Sequence, residues 1–403
     1  MECRDGYWST LEDVSTGPGR YGIGAPAVNF RENLPTYLRI TDIRDDGTLD
    51  LSAKKSVADP KASDYFLKEG DIVFARTGNS TGRNYCYDSR DGKFVYAGFL
   101  VKFSIDSEKV NPRYIKYYVQ SRFYWDWISS FNTGSTRGNI NAKTYGTLPI
   151  FIPSRDVQDK IVAIADSVSE KIRINNRIND YLAELASLEF SRRFGPDTPT
   201  TELGKVLSIS TKSLKPQDCI GDIWEHYSIP AYDENRRPIF EPAECIKSNK
   251  YIVDTNCILI SKLNPTIKRI WMPACTSDHP VCSTEFIVYK PNNLKHKSFY
   301  YAAINAPEFT DYLLAHVTGS TGSRQRTQPK ATLKYPMQAP SVEAIDEFCA
   351  FADPIYEQIK LNELESGELE VLRDTLLPKL ISGEIDVSKV KLPKQLNNHL
   401  CGY

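Results

Sequence analysis

Thr133-Gly134-Ser135-Thr136 and Thr318-Gly319-Ser320-Thr321 are the same four residues, and each copy is followed by a Leu, a short apolar run and a Pro-Ser. A repeat of this length sets the architecture before any site is considered. Working outward, Leu11-Glu12-Asp13-Val14 resembles Leu203-Gly204-Lys205-Val206, and Asp71-Ile72-Val73-Phe74-Ala75-Arg76 resembles Cys257-Ile258-Leu259-Ile260-Ser261-Lys262. Arg83 falls on Arg269, and Phe99-Leu100-Val101 is matched to Phe286-Ile287-Val288. Gly134 and Gly319 read most simply as turn glycines.

After each copy a helix is expected. Pro153-Ser154 and Pro340-Ser341 offer a serine whose hydroxyl accepts an unpaired backbone N–H at the helix start. Ile161, Ile164, Val168, Ile172, Ile178, Leu182 and Leu185 recur mostly every three or four residues, the period of a helix face. Continued to Phe194, that helix spans roughly 55 to 60 Å at about 1.5 Å per residue; Gly195-Pro196 then stops it. The second is expected from about Glu343 to Leu377, ending near Pro378, with Ile345, Phe348, Ala352, Ile355, Ile359, Leu369, Leu372 and Leu376 on its apolar face. Asn175 and Asn362 occupy matching places in the two helices. A polar residue in an apolar seam fixes pairing register at some cost in stability, and an Asn facing solvent is an equal alternative. Two such helices in one chain are expected to pair as an antiparallel coiled coil. Upstream of each, short Val/Ile/Phe/Tyr-rich runs broken by Gly, Asn, Asp and Pro read as strands, so the class is α+β.

At 403 residues, with 41% apolar and 25% charged residues, the chain has the size and composition of two ordinary globular domains. Nothing resembles a signal peptide or a bilayer-spanning run, so a soluble cytoplasmic protein with no membrane partner is expected. Nine scattered cysteines fit reduced thiols. Cys275, His279 and Cys282 are close enough to share a metal, but a structural zinc normally takes four protein ligands including a Cys knuckle. They are read as buried thiols at a strand end, and no metal or cofactor is expected.

The net charge of -1 and pI near 6.6 oppose a simple electrostatic nucleic-acid binder. The distribution says more than the sum. Acids crowd the helices, while the stretches 129–155, 255–277 and 318–334 carry bases and no acid. Catalysis finds no foothold. Asn264-Pro265-Thr266-Ile267 lacks the second proline and the aromatic of an amino-methyltransferase motif, and no glycine-rich cofactor turn accompanies it. Pro196-Asp197 with Glu202-Leu203-Gly204-Lys205 has the wrong spacing for a nuclease. The five histidines form no His-x-x-x-His pair, and no nucleophile elbow or phosphate loop occurs. The aromatic run Phe123-Tyr124-Trp125-Asp126-Trp127 is read as core rather than as a base-stacking platform.

Across essentially its whole length the sequence resembles the specificity subunits of type I restriction-modification systems. The carrying residues are Gly70-Asp71-Ile72-Val73-Phe74-Ala75-Arg76, Gly134-Ser135-Thr136-Arg137 before Leu148-Pro149-Ile150-Phe151-Ile152-Pro153, Gln158, and Leu376-Leu377-Pro378-Lys379-Leu380-Ile381-Ser382-Gly383-Glu384-Ile385. The second copy departs from the loop pattern, with Gly322-Ser323-Arg324 where the first has Arg137-Gly138-Asn139.

The resemblance implies two target-recognition domains, residues 1–152 and 201–340, each reading half of a bipartite double-stranded DNA target. It implies two spacer helices, 153–194 and 341–385, with a linker at 195–200 and a tail at 386–403. Those helices would set the gap and bind two methyltransferase subunits, through which restriction subunits join; the chain itself would be non-catalytic. Base reading needs Arg, Lys, Asn, Gln or Ser on loops that enter the major groove. The candidates are Arg76, Asn79, Arg83, Arg137 and Asn139 in the first domain, and Lys262, Lys268, Arg269, Arg324, Gln325 and Arg326 in the second. The competing reading is a helical scaffold that joins protein partners without touching DNA.

Overall fold

The computed structural model describes residues 6–131, 138–219, 221–318, 325–387 and 390. Helix and sheet are mixed throughout, and the chain divides into two compact units, Met1–Glu170 with Leu369–Tyr403, and Lys171–Glu368. Among the described residues no helix is long and apolar enough to cross a membrane.

In the first unit the strand Asp71–Ala75 lies between Leu100–Ser104 and Asn84–Cys86 in a four-stranded sheet, with Arg20–Tyr21 at the far edge. Successive side chains of a strand point to opposite faces, and here both faces are covered. Ile72 and Phe74 enter one apolar cluster with the helices Pro112–Tyr118 and Arg122–Ser129, while Val73 and Ala75 enter another with Leu38, Phe94 and Tyr96. That is why the segment is apolar without alternation. The second unit repeats the device with Ile258–Ser261: Ile258 and Ile260 face one cluster, Leu259 the other.

The first long helix runs Arg155–Arg193 and the second Val342–Ser382. Ser341 Oγ accepts from the Ala344 amide at 3.3 Å, a serine cap where one was expected. Gln158 is buried and spends its amide locally, accepting from the Asn111 N–H and donating to the Pro153 carbonyl. The second helix does not end near Pro378. It passes through that residue and stops at Gly383, whose φ of 65° is the left-handed conformation of a helix C-terminal glycine. Pro378 forfeits one backbone bond, but Leu377, Leu380 and Ile381 around it are buried in the core of the first unit.

Within the second unit the two helices pack together in opposite directions, with Phe190 against Phe348 and Asn175 against Ser366. The Asn175 side chain is buried and donates to Glu365 at 2.8 Å and Ser366 at 3.2 Å, while Asn362 Nδ2 donates to Asn179 Oδ1 at 2.7 Å. Both expected asparagines therefore face the opposing helix rather than solvent. A ring cluster of Phe190, Phe194, Phe299 and Phe348 fastens the helices to this unit, with centroids 5.2 to 6.1 Å apart.

The aromatic residues of the run at 123–127 are core except one. Tyr124 is fully buried and Trp125 and Trp127 pack on the core, whereas Phe123 is 51% exposed.

Candidate nucleic-acid interface

The strongest repeat in the structure is a main-chain frame at the end of each central strand. In the first unit the Ala75 amide donates to the Arg83 carbonyl, the Arg76 amide to Phe99, and the Ile140 amide to Arg76. In the second, Ser261 donates to Arg269, Lys262 to Glu285, and Thr327 to Lys262, all between 2.8 and 3.0 Å in both units. Two residues further on each chain turns through positive φ, at Gly78 (75°) and at Asn264 (49°). Asn is the non-glycine residue that tolerates this region best, so one turn is built from two residue types.

This frame corrects the alignment by one residue. Ala75 pairs with Leu100 and Ser261 with Phe286, so Leu100 is the counterpart of Phe286, and Phe99 that of Glu285. The apolar run around Phe99 hid the slip, because a one-residue shift still matches apolar with apolar.

Around the first frame the structure gathers Arg76, Asn79 and Asn139. Thr77 bridges Asn139, and Thr81 Oγ1 donates to the carbonyls of Gly78 and Gly138 at 2.8 and 2.9 Å. Arg76 lies over the Tyr21 ring, 4.9 Å from its centroid, and Phe99 beside it is 58% exposed. Arg83 points elsewhere, donating from Nε to Asp45 at 2.7 Å and from Nη1 to the Ile43 carbonyl. Arg137 lies outside the described residues.

Around the second frame stand Lys262, Gln325 and Arg326. The Gln325 carbonyl accepts from the Asn264 amide at 2.8 Å, Leu263 bridges Arg326, and Arg326 Nε donates to Glu285 at 3.0 Å. Lys268 Nζ donates to the Asn305 carbonyl at 2.7 Å. Arg269 is only 6% exposed and grips Asp233 with two bonds of 2.6 and 2.8 Å. Arg324 lies outside the described residues. Arg83 and Arg269, the pair that the repeat aligned, thus share one job: each ties its turn to an aspartate far back in its own unit. Sequence reasoning missed those aspartates, together with Tyr21 and Glu285, since spacing along the chain carries no sign of them.

Cys275, His279 and Cys282 do not converge. The His279 ring stacks on Trp224 at 4.9 Å, and burial pushes the Cys275 thiol up to about 12. Among the described residues no group of three or more His, Cys, Asp or Glu is placed to hold a metal. The nearby Glu225 is fully buried and accepts from Tyr227 Oη and from the amides of Thr276 and Ser277, bracing the loop before His279.

A second kind of surface lies on the first long helix. Ile174, Ile178, Tyr181, Leu185 and Leu188 alternate by four and three residues and are each 41 to 61% exposed. This is a heptad seam separate from the one that meets the second helix.

Residues 36–184 match the family model described as the type I restriction modification DNA specificity domain. That match covers the first recognition-like half and the start of the first long helix. The HindI specificity subunit of Haemophilus influenzae, a type I restriction enzyme component, is 20% identical over 79% of this chain and 87% of its own length. The crystal structure of a type I restriction-modification S subunit from M. genitalium has a similar fold, with a TM-score of 0.54 at 15% identity over 94% of this chain and 97% of that one.

Proposed function

We propose that this chain is a type I specificity subunit that reads a bipartite double-stranded DNA target, one half through residues 1–152 and the other through residues 201–340. The observation that carries the reading is the frame built twice, once in each unit, at the ends of Asp71–Ala75 and Ile258–Ser261. Each frame presents Arg, Lys, Asn or Gln on a turn fastened to a strand buried on both faces. Rigid presentation of such side chains is what base-edge recognition requires.

The long helices, 153–194 and 341–385, act in this proposal as an antiparallel coiled coil that sets the unread spacer. A 39-residue helix is about 58 Å long, more than the roughly 34 Å of one DNA turn between half-sites. The exposed seam from Ile174 to Leu188 suits a helix of a methyltransferase subunit, two of which would dock and bring restriction subunits with them. The chain itself contributes recognition and no chemistry.

The test is domain exchange. Replacing residues 1–152 by those of a relative of different specificity should change one half of the methylated sequence and leave the other half and the spacer intact. A change in both halves, or in neither, contradicts the division of labour.

A further inference from the structure

We propose that Arg76 reads a guanine in the half-site of the first unit, with Tyr21 as the residue that positions it; this rests on the DNA-reading function above. Four observations converge on Arg76. Its backbone is held on both sides, by Phe99 and by Ile140. Its guanidinium lies over the Tyr21 ring, and that ring is pinned in turn, its hydroxyl accepting from the Ala142 amide at 3.1 Å. Its Nε is buried without a hydrogen-bond partner. Finally, the other candidate arginines among the described residues are neutralised: Arg83 by Asp45, Arg269 by Asp233 and Arg326 by Glu285.

An arginine held against an aromatic face keeps its charge and presents its planar fork in one orientation, so little side-chain freedom is lost on contact. The base edge that matches such a fork is guanine, with O6 and N7 as paired acceptors in the major groove. A lysine offers a point charge instead, and Lys262 occupies the same place in the second frame. The demand for a guanine at this position is thus proposed for the first unit alone.

The experiment uses the chain assembled with its methyltransferase. Each guanine of the target is replaced in turn by 7-deazaguanine, which lacks the N7 acceptor, and binding is compared for the native chain, Arg76→Ala, Tyr21→Leu and Tyr21→Phe. One guanine, in one half-site, should cost the native complex roughly tenfold on replacement. That penalty should vanish in Arg76→Ala, shrink in Tyr21→Leu and persist in Tyr21→Phe, which keeps the ring face. Tolerance of every replacement by the native complex overturns the proposal with no variant needed. A loss in Arg76→Ala that is equal on all duplexes also overturns it, since that is the behaviour of a phosphate contact. If instead the native complex prefers no sequence at all, the DNA-reading function fails, a result distinct from either.

Discussion

In the first unit the residue that follows the central strand is Arg76, propped on Tyr21; in the second it is Lys262, and the neighbouring guanidinium of Arg326 is held by Glu285. The main-chain bonds around the two are the same. The backbone frame is common property of both units, while the side chains mounted on it differ. A similar contrast holds below the surface. The first unit seats its helices with tyrosines whose hydroxyls are spent on backbone, Tyr114 on Phe151, Tyr118 on Pro149 and Tyr145 on Ala75. The second uses the purely apolar ring cluster around Phe348.

The largest effect should come from that ring cluster. Phe348 is completely buried, so Phe348→Ala should destabilise the second unit by about 4 kcal/mol through lost burial and the cavity left behind. Hydrogen exchange resolved by segment should show protection falling around 297–315 and staying unchanged in strand Asp71–Ala75. Equal loss in both units would show that they are not separately stabilised.

The paired arginines come next. Arg269 is buried against a half-exposed Asp233, whereas Arg83 and Asp45 are both more open to solvent. Arg269→Met should therefore cost roughly 2 kcal/mol and Arg83→Met under about 1 kcal/mol, measured by denaturant unfolding followed unit by unit. A reversed order would mean that Arg83 carries more of its frame than its exposure suggests.

A pH effect should mark the second unit. Burial pushes the Glu363 carboxyl from 4.5 up to about 7. A folded-state value above the unfolded one means that the native chain holds the proton more tightly. Stability from this group is then full below about pH 4.5, declines as pH rises toward 7, and is flat beyond, a loss of roughly 3 kcal/mol in all. Glu363→Gln should flatten that decline, seen as a midpoint that no longer moves between pH 5 and 7. An unchanged slope would assign the titration elsewhere.

The smallest effect on folding should come from the exposed seam. Leu185→Glu should alter stability by no more than about 0.5 kcal/mol yet remove a methyltransferase subunit from the purified complex. Retained stoichiometry would place docking on another surface.

Much of this was legible in the sequence. The repeat and the two long helices follow from spacing, because helix periodicity and chain order are local properties; spacing also put Asn175 and Asn362 in matching places but left seam or solvent open. The end of the second helix was not: Pro378 is a local stop signal overruled by burial of Leu377, Leu380 and Ile381. Nor was the duty of Arg83 and Arg269, whose partners stand 38 and 36 residues away. Of the site candidates, several gather on two matching turns, but sequence did not show which bases on them were already committed. That depends on acids and rings brought in by tertiary structure, as Glu285 and Tyr21 are.

The most direct test is to co-express the chain with its neighbouring methyltransferase in a host free of DNA methylation and map modified bases genome-wide by single-molecule sequencing. The account predicts a split motif, two short half-sites around a gap of fixed length. A contiguous motif, or no new methylation from a stable complex of the two proteins, would contradict it.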